Sequence, residues 1–356
     1  MSTTRSRPRR ARGVLALAPA VALVAACSGS PHPVTPATTA ATLPEVTASA
    51  SGSVVAEPAT TSPYSGREGG IGTPVMVVKY DNTPAAQPHR GLTSADIVYV
   101  EPVEWGLTRI AAVFSTDMPE VVGPVRSARV SDLDLFAQFG RVAFVFSGAQ
   151  HRLLPKIQAA NWVPMSEDFD SVGFHREYGT GRYAPTNLMA SPSEILDDVG
   201  DEIAVSSDMG WVFDEETPEG GTKTKRVTVD WENSSVQLRW NAKRDAWNVW
   251  MNGQQARDTD DPGVQRASTA IIQYVKQTDS GYGDKFGGVT PMVKTVGHGK
   301  GLMLRDGRSY PITWERATED APTAYYDAAT GEPVVMDPGQ VWVLLVDKTQ
   351  KATVSK

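Results

Sequence analysis

Cysteine is nearly absent: Cys27 is the only one in 356 residues. Internal disulfides and cysteine metal sites are thereby excluded, so the fold must be held by its core. If Cys27 is itself modified, no thiolate nucleophile remains. Histidine is scarce as well, five in all, and His89, His151, His175 and His298 are spread over different segments. No HExxH occurs, which argues against a zinc protease. No G-x-S-x-G elbow, phosphate-binding loop or dinucleotide fingerprint is present. We therefore expect no cofactor. Beyond residue 26, no apolar run approaches the roughly 20 residues of a membrane-spanning helix. Basic charge is also short, 34 residues against 41 acidic ones. Such a balance repels nucleic acid at long range, so no nucleic-acid partner is expected, although a local basic pocket can still hold an anion.

What is there begins with an address. Residues 1–13 carry five arginines (Arg5, Arg7, Arg9, Arg10 and Arg12) and no acid, and Val14 to Ala26 is an unbroken apolar run. Val24-Ala25-Ala26-Cys27 then resembles a bacterial lipobox: a branched residue, two small ones and the cysteine. Basic, apolar and small residues in that order make a secretory signal. Cleavage before Cys27 and lipidation of its thiol would anchor the chain to the outer face of the cytoplasmic membrane. The mature chain would keep 29 basic and 41 acidic residues, a formal charge of −12. The expected division is a signal over 1–26, a lipidated cysteine and disordered tether over 27–70, an α/β part over 71–208 and a β-rich part over 209–350. The tether is rich in Ser, Thr, Ala and Pro, with Tyr64 its only aromatic. Random-coil scaling gives it a span of about 35 Å.

From Ile71 the composition becomes that of a folded chain. Pro74–Tyr80, Ala95–Val103, Leu107–Ser115 and Arg141–Ser147 read as strands. Pro124–Phe139 reads as a helix, with Val130, Leu133, Phe136 and Ala137 at 3–4 spacing and Gly140 as its stop. Short helices are expected at Arg152–Ala160 and from Ser191 to Val199. After Asp208 the pattern is strand after strand, with hairpin turns at Asn252-Gly253 and Asp306-Gly307. The late tryptophans, Trp231, Trp240, Trp247, Trp250, Trp314 and Trp342, fall in strands, where core packing is the default use.

The densest polar constellation lies in the first half: Asp81, Asn82, Glu101, Glu104, Arg109, Arg126 and Arg129. Glu101 and Arg109 sit in or beside apolar strands, where an ionised group needs a partner. Arg126 and Arg129, three apart in the first turns of the expected helix, would share a face at its positive end. Glu101 and Glu104 face opposite ways in a regular strand, and a bulge at Pro102 could bring them together. The same residues allow structural ion pairs, an anion site or a catalytic carboxylate pair, while calcium is disfavoured by the lack of regularly spaced oxygen ligands. Ser127 reads as a surface or capping residue.

These strings resemble the YerB-like bacterial lipoproteins. The resemblance is carried by Asp81-Asn82-Thr83-Pro84-Ala85-Ala86, Glu101-Pro102-Val103-Glu104, Thr108-Arg109, Gly123-Pro124-Val125-Arg126-Ser127-Ala128-Arg129, Ala184-Pro185-Thr186-Asn187-Leu188 and Pro338-Gly339-Gln340-Val341-Trp342. It implies an α+β fold, with a layered β-β-α sandwich-like first part and a β-rich second part, and it carries no established reaction. It adds Asn187 to the candidate ligand-binding set. That family's loop usually reads Ala-Pro-His-Asn-Leu, whereas Thr186 stands here in place of the histidine. A general base or metal ligand at that position would be missing, which favours binding over catalysis. The expectation is an envelope lipoprotein that binds an anionic cell-wall component or an envelope protein through an Arg/Glu pocket. A hydrolase of a phosphodiester or wall glycan, and a purely structural interaction protein, are the alternatives.

Overall fold

The computed structural model describes residues 60–259 and 263–356, all within one compact unit. The targeting segment, Cys27 and most of the expected tether lie outside the described residues.

Five strands open the main sheet: β1 (Met76–Asp81), β2 (Ile97–Pro102), β3 (Thr108–Phe114), β4 (Val142–Val145) and β5 (Trp162–Met165). A second sheet follows, with β6 (Arg226–Trp231), β7 (Ser234–Asn241) and β8 (Ala246–Met251) at its centre. The chain then returns to the main sheet through β9 (Thr269–Gly283), β10 (Val289–Lys294), β11 (Gly297–Arg305), β12 (Arg308–Arg316), β13 (Ala324–Asp327) and β14 (Val341–Asp347). A last strand, β15 (Thr353–Ser355), pairs with β6. The order across the main sheet is β13-β12-β11-β9-β14-β2-β3-β1-β4-β5, with β10 pairing the far half of β9. Strands from both sides of residue 208 thus share one sheet. The join is β14, which runs parallel to both β2 and β9. The fold is β-rich with few helices, broadly α+β.

Both faces of the main sheet are covered, and its central strands read as continuous apolar runs for that reason. Val78, Val98, Ala112 and Leu344 pack toward Val229, Leu238, Trp247 and Val249 of the second sheet. Val77, Tyr99, Ala111 and Val343 pack toward Leu135 and Phe136 of α1 (Ser131–Phe136) and Ile157 of α2 (Leu154–Ala159). A third helix, α3 (Pro192–Val199), joins the first of these cores through Ile195 and Val199. Side chains alternate along a strand. Lys79, Asp81, Glu101 and Arg109 therefore share the α1 face with Val77, Tyr99 and Ala111.

Two expectations need correction. Folding begins by Thr60, not at 71. Tyr64 is fully buried, edge-on to Phe139 with ring centroids 5.5 Å apart, and Ser65 and Arg67 both bond to buried Asp96. An average over a polar segment hides one aromatic and its anchoring partners. The helix expected over Pro124–Phe139 is confined to Ser131–Phe136, with one further turn to Phe139. The amides of Val125, Arg126 and Ala128 donate instead to carbonyls of Leu188, Lys79 and Gly148. Those non-local bonds hold the segment extended, so Arg126 and Arg129 gain nothing from a helix dipole.

Candidate functional site

Register assembles the site. Arg109 stands directly across from Asp81 on β1 and from Glu101 on β2. The extended segment 125–129 runs over this end of the sheet and adds two more arginines. Arg126 donates from Nε to Asp81 Oδ2 at 2.8 Å. Arg129 donates from Nη2 and Nε to Glu104 Oε2 at 2.8 and 3.1 Å. Asp132, in the first turn of α1, accepts the backbone N–H of Arg129 at 2.7 Å and so fixes that residue's approach.

Beneath them lies a group the expected set did not include. Lys79, fully buried in β1, bonds to Glu101 and, at 2.8 Å, to Asp132. One ammonium between two carboxylates leaves an excess negative charge in a dry place. Burial, and then the Asp132 carboxylate, raise the Glu101 pKa against the pull of Lys79. Glu101 thus tends to hold its proton, and it is sealed away at 1% exposure. The signal for the lysine was legible as the one charged residue in the apolar run Pro74–Tyr80.

Arg109, Arg126, Arg129 and Glu104 line one cleft of about 610 Å³. Its rim carries Trp105, Tyr282 and Phe286. Arg109 is 6% exposed, and its Nε and Nη1 have no hydrogen-bond partner among the described residues. Burial pulls its pKa down to about 10, opposed by Asp81 and aided by Arg129 and Arg126, so it stays charged at neutral pH. Burial would raise Asp81, but the charges of Arg109 and Arg126 outweigh it and hold the carboxyl below its ordinary value. Glu104 is likewise held low: Arg129, through its charge and its bonds, and a bond from Thr290 overcome the burial penalty.

The rim has its own fastening. Trp105 adopts φ 62, an outlier for a bulky residue, and is 51% exposed. Its indole N–H donates to Asp284 Oδ2 at 2.9 Å, and its carbonyl accepts from Asn233 Nδ2 at 2.7 Å. Gln150 Nε2 donates to the Gly283 carbonyl at 2.6 Å, closing the other side.

Two candidates stand elsewhere. Asn82 turns toward the second sheet, donating to Thr108 Oγ1 at 2.8 Å while its carbonyl accepts from Asn252. Asn187 ties a short hairpin together, accepting from Arg176 and donating to the Glu177 carbonyl. Thr186 closes the same loop by donating to the Tyr183 carbonyl at 2.9 Å. Among the described residues, no group of three or more His, Cys, Asp or Glu side chains is placed to hold a metal ion.

Both parts of the chain match a known family. The family described as "Protein of unknown function (DUF3048) N-terminal domain" matches residues 60–205, and its C-terminal domain matches residues 227–343. The chain belongs to this YerB-like family. A stretch of 56 residues, 16% of this chain, is 54% identical to YerB of Bacillus subtilis (strain 168), a protein with a provisional lipoprotein designation. The stretch spans 17% of that relative's length. The crystal structure of YerB protein from Bacillus subtilis superposes with a TM-score of 0.70 over 83% of this chain and 99% of that one, at 23% identity, a likeness of fold.

Proposed function

We propose that this chain is a lipid-anchored envelope protein whose arginine cleft captures an anionic group on a cell-wall component or on the acidic segment of a partner. The observation that carries the reading is Arg109. A buried guanidinium costs free energy unless it is paired and hydrogen-bonded. Here Asp81 and Glu104 already have Arg126 and Arg129, Glu101 shares Lys79 with Asp132, and the Nε and Nη1 groups of Arg109 are buried beside the cleft with no partner among the described residues. A carboxylate or phosphate oxygen would satisfy them, with Arg126 and Arg129 at either hand. The aromatic rim suits a ligand whose charged group sits on a ring or apolar body. Hydrolysis is the weaker reading. An acid catalyst must reach the cleft, yet Glu101 is sealed on Lys79 and Glu104 is held ionised.

The test is binding of inorganic phosphate and of glucuronate, followed by titration calorimetry, to the wild type and to Arg109→Met. That variant is expected to keep or raise Tm, because it removes an incompletely bonded buried charge, and to lose at least tenfold in affinity. A folded variant that binds as well as the wild type, or a wild type that binds neither probe, overturns the site. Anchoring rests on the lipobox-like string and on the designation of the relative. No helix among the described residues is long and apolar enough to cross a membrane. Cys27→Ala is expected to move the protein from the membrane fraction to the soluble one, and retention on the membrane would count against lipidation.

A further inference from the structure

A second groove, of about 940 Å³, lies between β9, β11 and β12 of the main sheet and the final segment of the chain. We propose that it takes one molecule of a phosphate-bearing amphiphile of the anionic phospholipid class. Charge is the first argument. Five of the chain's twelve lysines line it: Lys276, Lys294, Lys300, Lys348 and Lys351. No aspartate or glutamate lines it, in a chain with seven more acidic than basic residues. Among the described residues, none of the five lysines makes an ion pair or a side-chain hydrogen bond. Of the nearby acids, Asp347 feels the charge of the adjacent Lys348 without forming an ion pair among the described residues. Asp347 accepts from the Thr349 hydroxyl and the Gln277 amide, and Glu315 lies across from His298.

The second argument is register. Lys276 and Lys294 are directly opposite each other on β9 and β10. Like charges in that relation destabilise a sheet. A lysine pair kept in this position, with no carboxylate to relieve it, is suited to an anion supplied from outside. Lysine binds a phosphate as a flexible point charge, with no need for a planar, bidentate partner.

The third argument is the floor. It is apolar: Tyr274, Leu302 and Trp314, with Ala352 and Val354 along one wall. Gly299 makes that floor possible, since a Cβ there would come within 2.6 Å of the Trp314 indole nitrogen. The indole N–H is spent on the Tyr274 carbonyl at 3.0 Å, so the ring offers only apolar surface. An acidic peptide or a linear polyanion would use the lysine rim and leave this floor uncovered. A headgroup phosphate with the first carbons of its chains uses both.

The experiment is titration of the full chain with monomeric dihexanoyl-phosphatidylglycerol, dihexanoyl-phosphatidylcholine, glycerol phosphate and hexaglutamate. Phosphatidylglycerol is expected to bind at least about tenfold more tightly than the other three. Lys276→Glu should weaken it about fivefold or more while raising Tm, because the new carboxylate faces Lys294 and relieves the repulsion. Arg109→Met should leave this binding unchanged, which separates the groove from the arginine cleft. Glycerol phosphate binding as tightly as the lipid would make this a bare anion site and overturn the proposal. So would equal binding of phosphatidylcholine, tighter binding of hexaglutamate, or undiminished binding by Lys276→Glu.

Discussion

At the scale of single residues, two buried titratable groups set opposite pH limits. His89 is fully buried, and its ring Nε2 lies 2.8 Å from the Asp81 carbonyl. A carbonyl can only accept, so Nε2 carries the proton and Nδ1 is left to accept from Gln87. Burial lowers its pKa from 6.5 to about 4, against the pull of that carbonyl and of the Asp81 charge. Between those values the unfolded chain binds a proton that the native one refuses, so stability falls as pH drops. The loss amounts to about 3 kcal/mol by pH 4. Glu101 has the opposite sign. Its native pKa is raised, so the folded protein holds the extra proton and stability falls as pH rises above the ordinary glutamate range. Glu101→Gln should flatten the alkaline side of a Tm-against-pH profile, and His89→Gln the acid side. A Glu101→Gln profile as steep as the wild type would show that the carboxyl is ionised throughout.

At the scale of elements, the cleft depends on how two loops meet. Trp105 leans on the β9–β10 turn, and Gly288 in that turn leaves the room: a Cβ there would overlap the Trp105 indole. Gly288→Ala should cost about 1–3 kcal/mol through overpacking, shift tryptophan emission and weaken anion capture. Unchanged Tm and emission would mean that the indole is not seated as described. The short α1 teaches a related lesson. Val130, Leu133 and Phe136 carry a true helical period, but it covers barely two turns. The Gly123–Arg129 string before it bonds to Leu188, Lys79 and Gly148, partners far off in the chain. Local spacing had no means of registering those bonds. Strands such as β1, β2, β3 and β4 were legible within a residue or two, because a strand buried on both faces writes an unbroken apolar run.

At the scale of the whole molecule, Asp96 is the knot that ties the start of the folded chain to the sheet. Its buried carboxylate accepts from the Ser65 hydroxyl, the Arg67 guanidinium and the amides of Ser115 and Thr116. Asp96→Ala leaves the Ser115 and Thr116 amides without their acceptor, at about 1–3 kcal/mol for each buried donor, and leaves Arg67 held only by Ser65 and the Ser94 and Ala95 carbonyls. Limited proteolysis should then cut after Arg67 while the β9–β14 region stays protected. Resistance equal to the wild type would show that the Tyr64–Phe139 contact suffices to hold the segment.

Sequence alone determined the targeting string ahead of Cys27, the family likeness, most strand positions and the presence of charged residues inside apolar runs. These are properties of neighbours in the chain, where composition and a period of two or of 3.6 residues carry the information. Only the tertiary structure decided which charges meet. Strand register set Arg109 between Asp81 and Glu101, and an extended rather than helical segment delivered Arg126 and Arg129. Asn82 and Asn187 were drawn off to other tasks. Lys276 and Lys294 were placed face to face in the same way. Such contacts join residues far apart in sequence, and hydrogen-bond register together with the packing of both sheet faces selects among them, which no local pattern encodes.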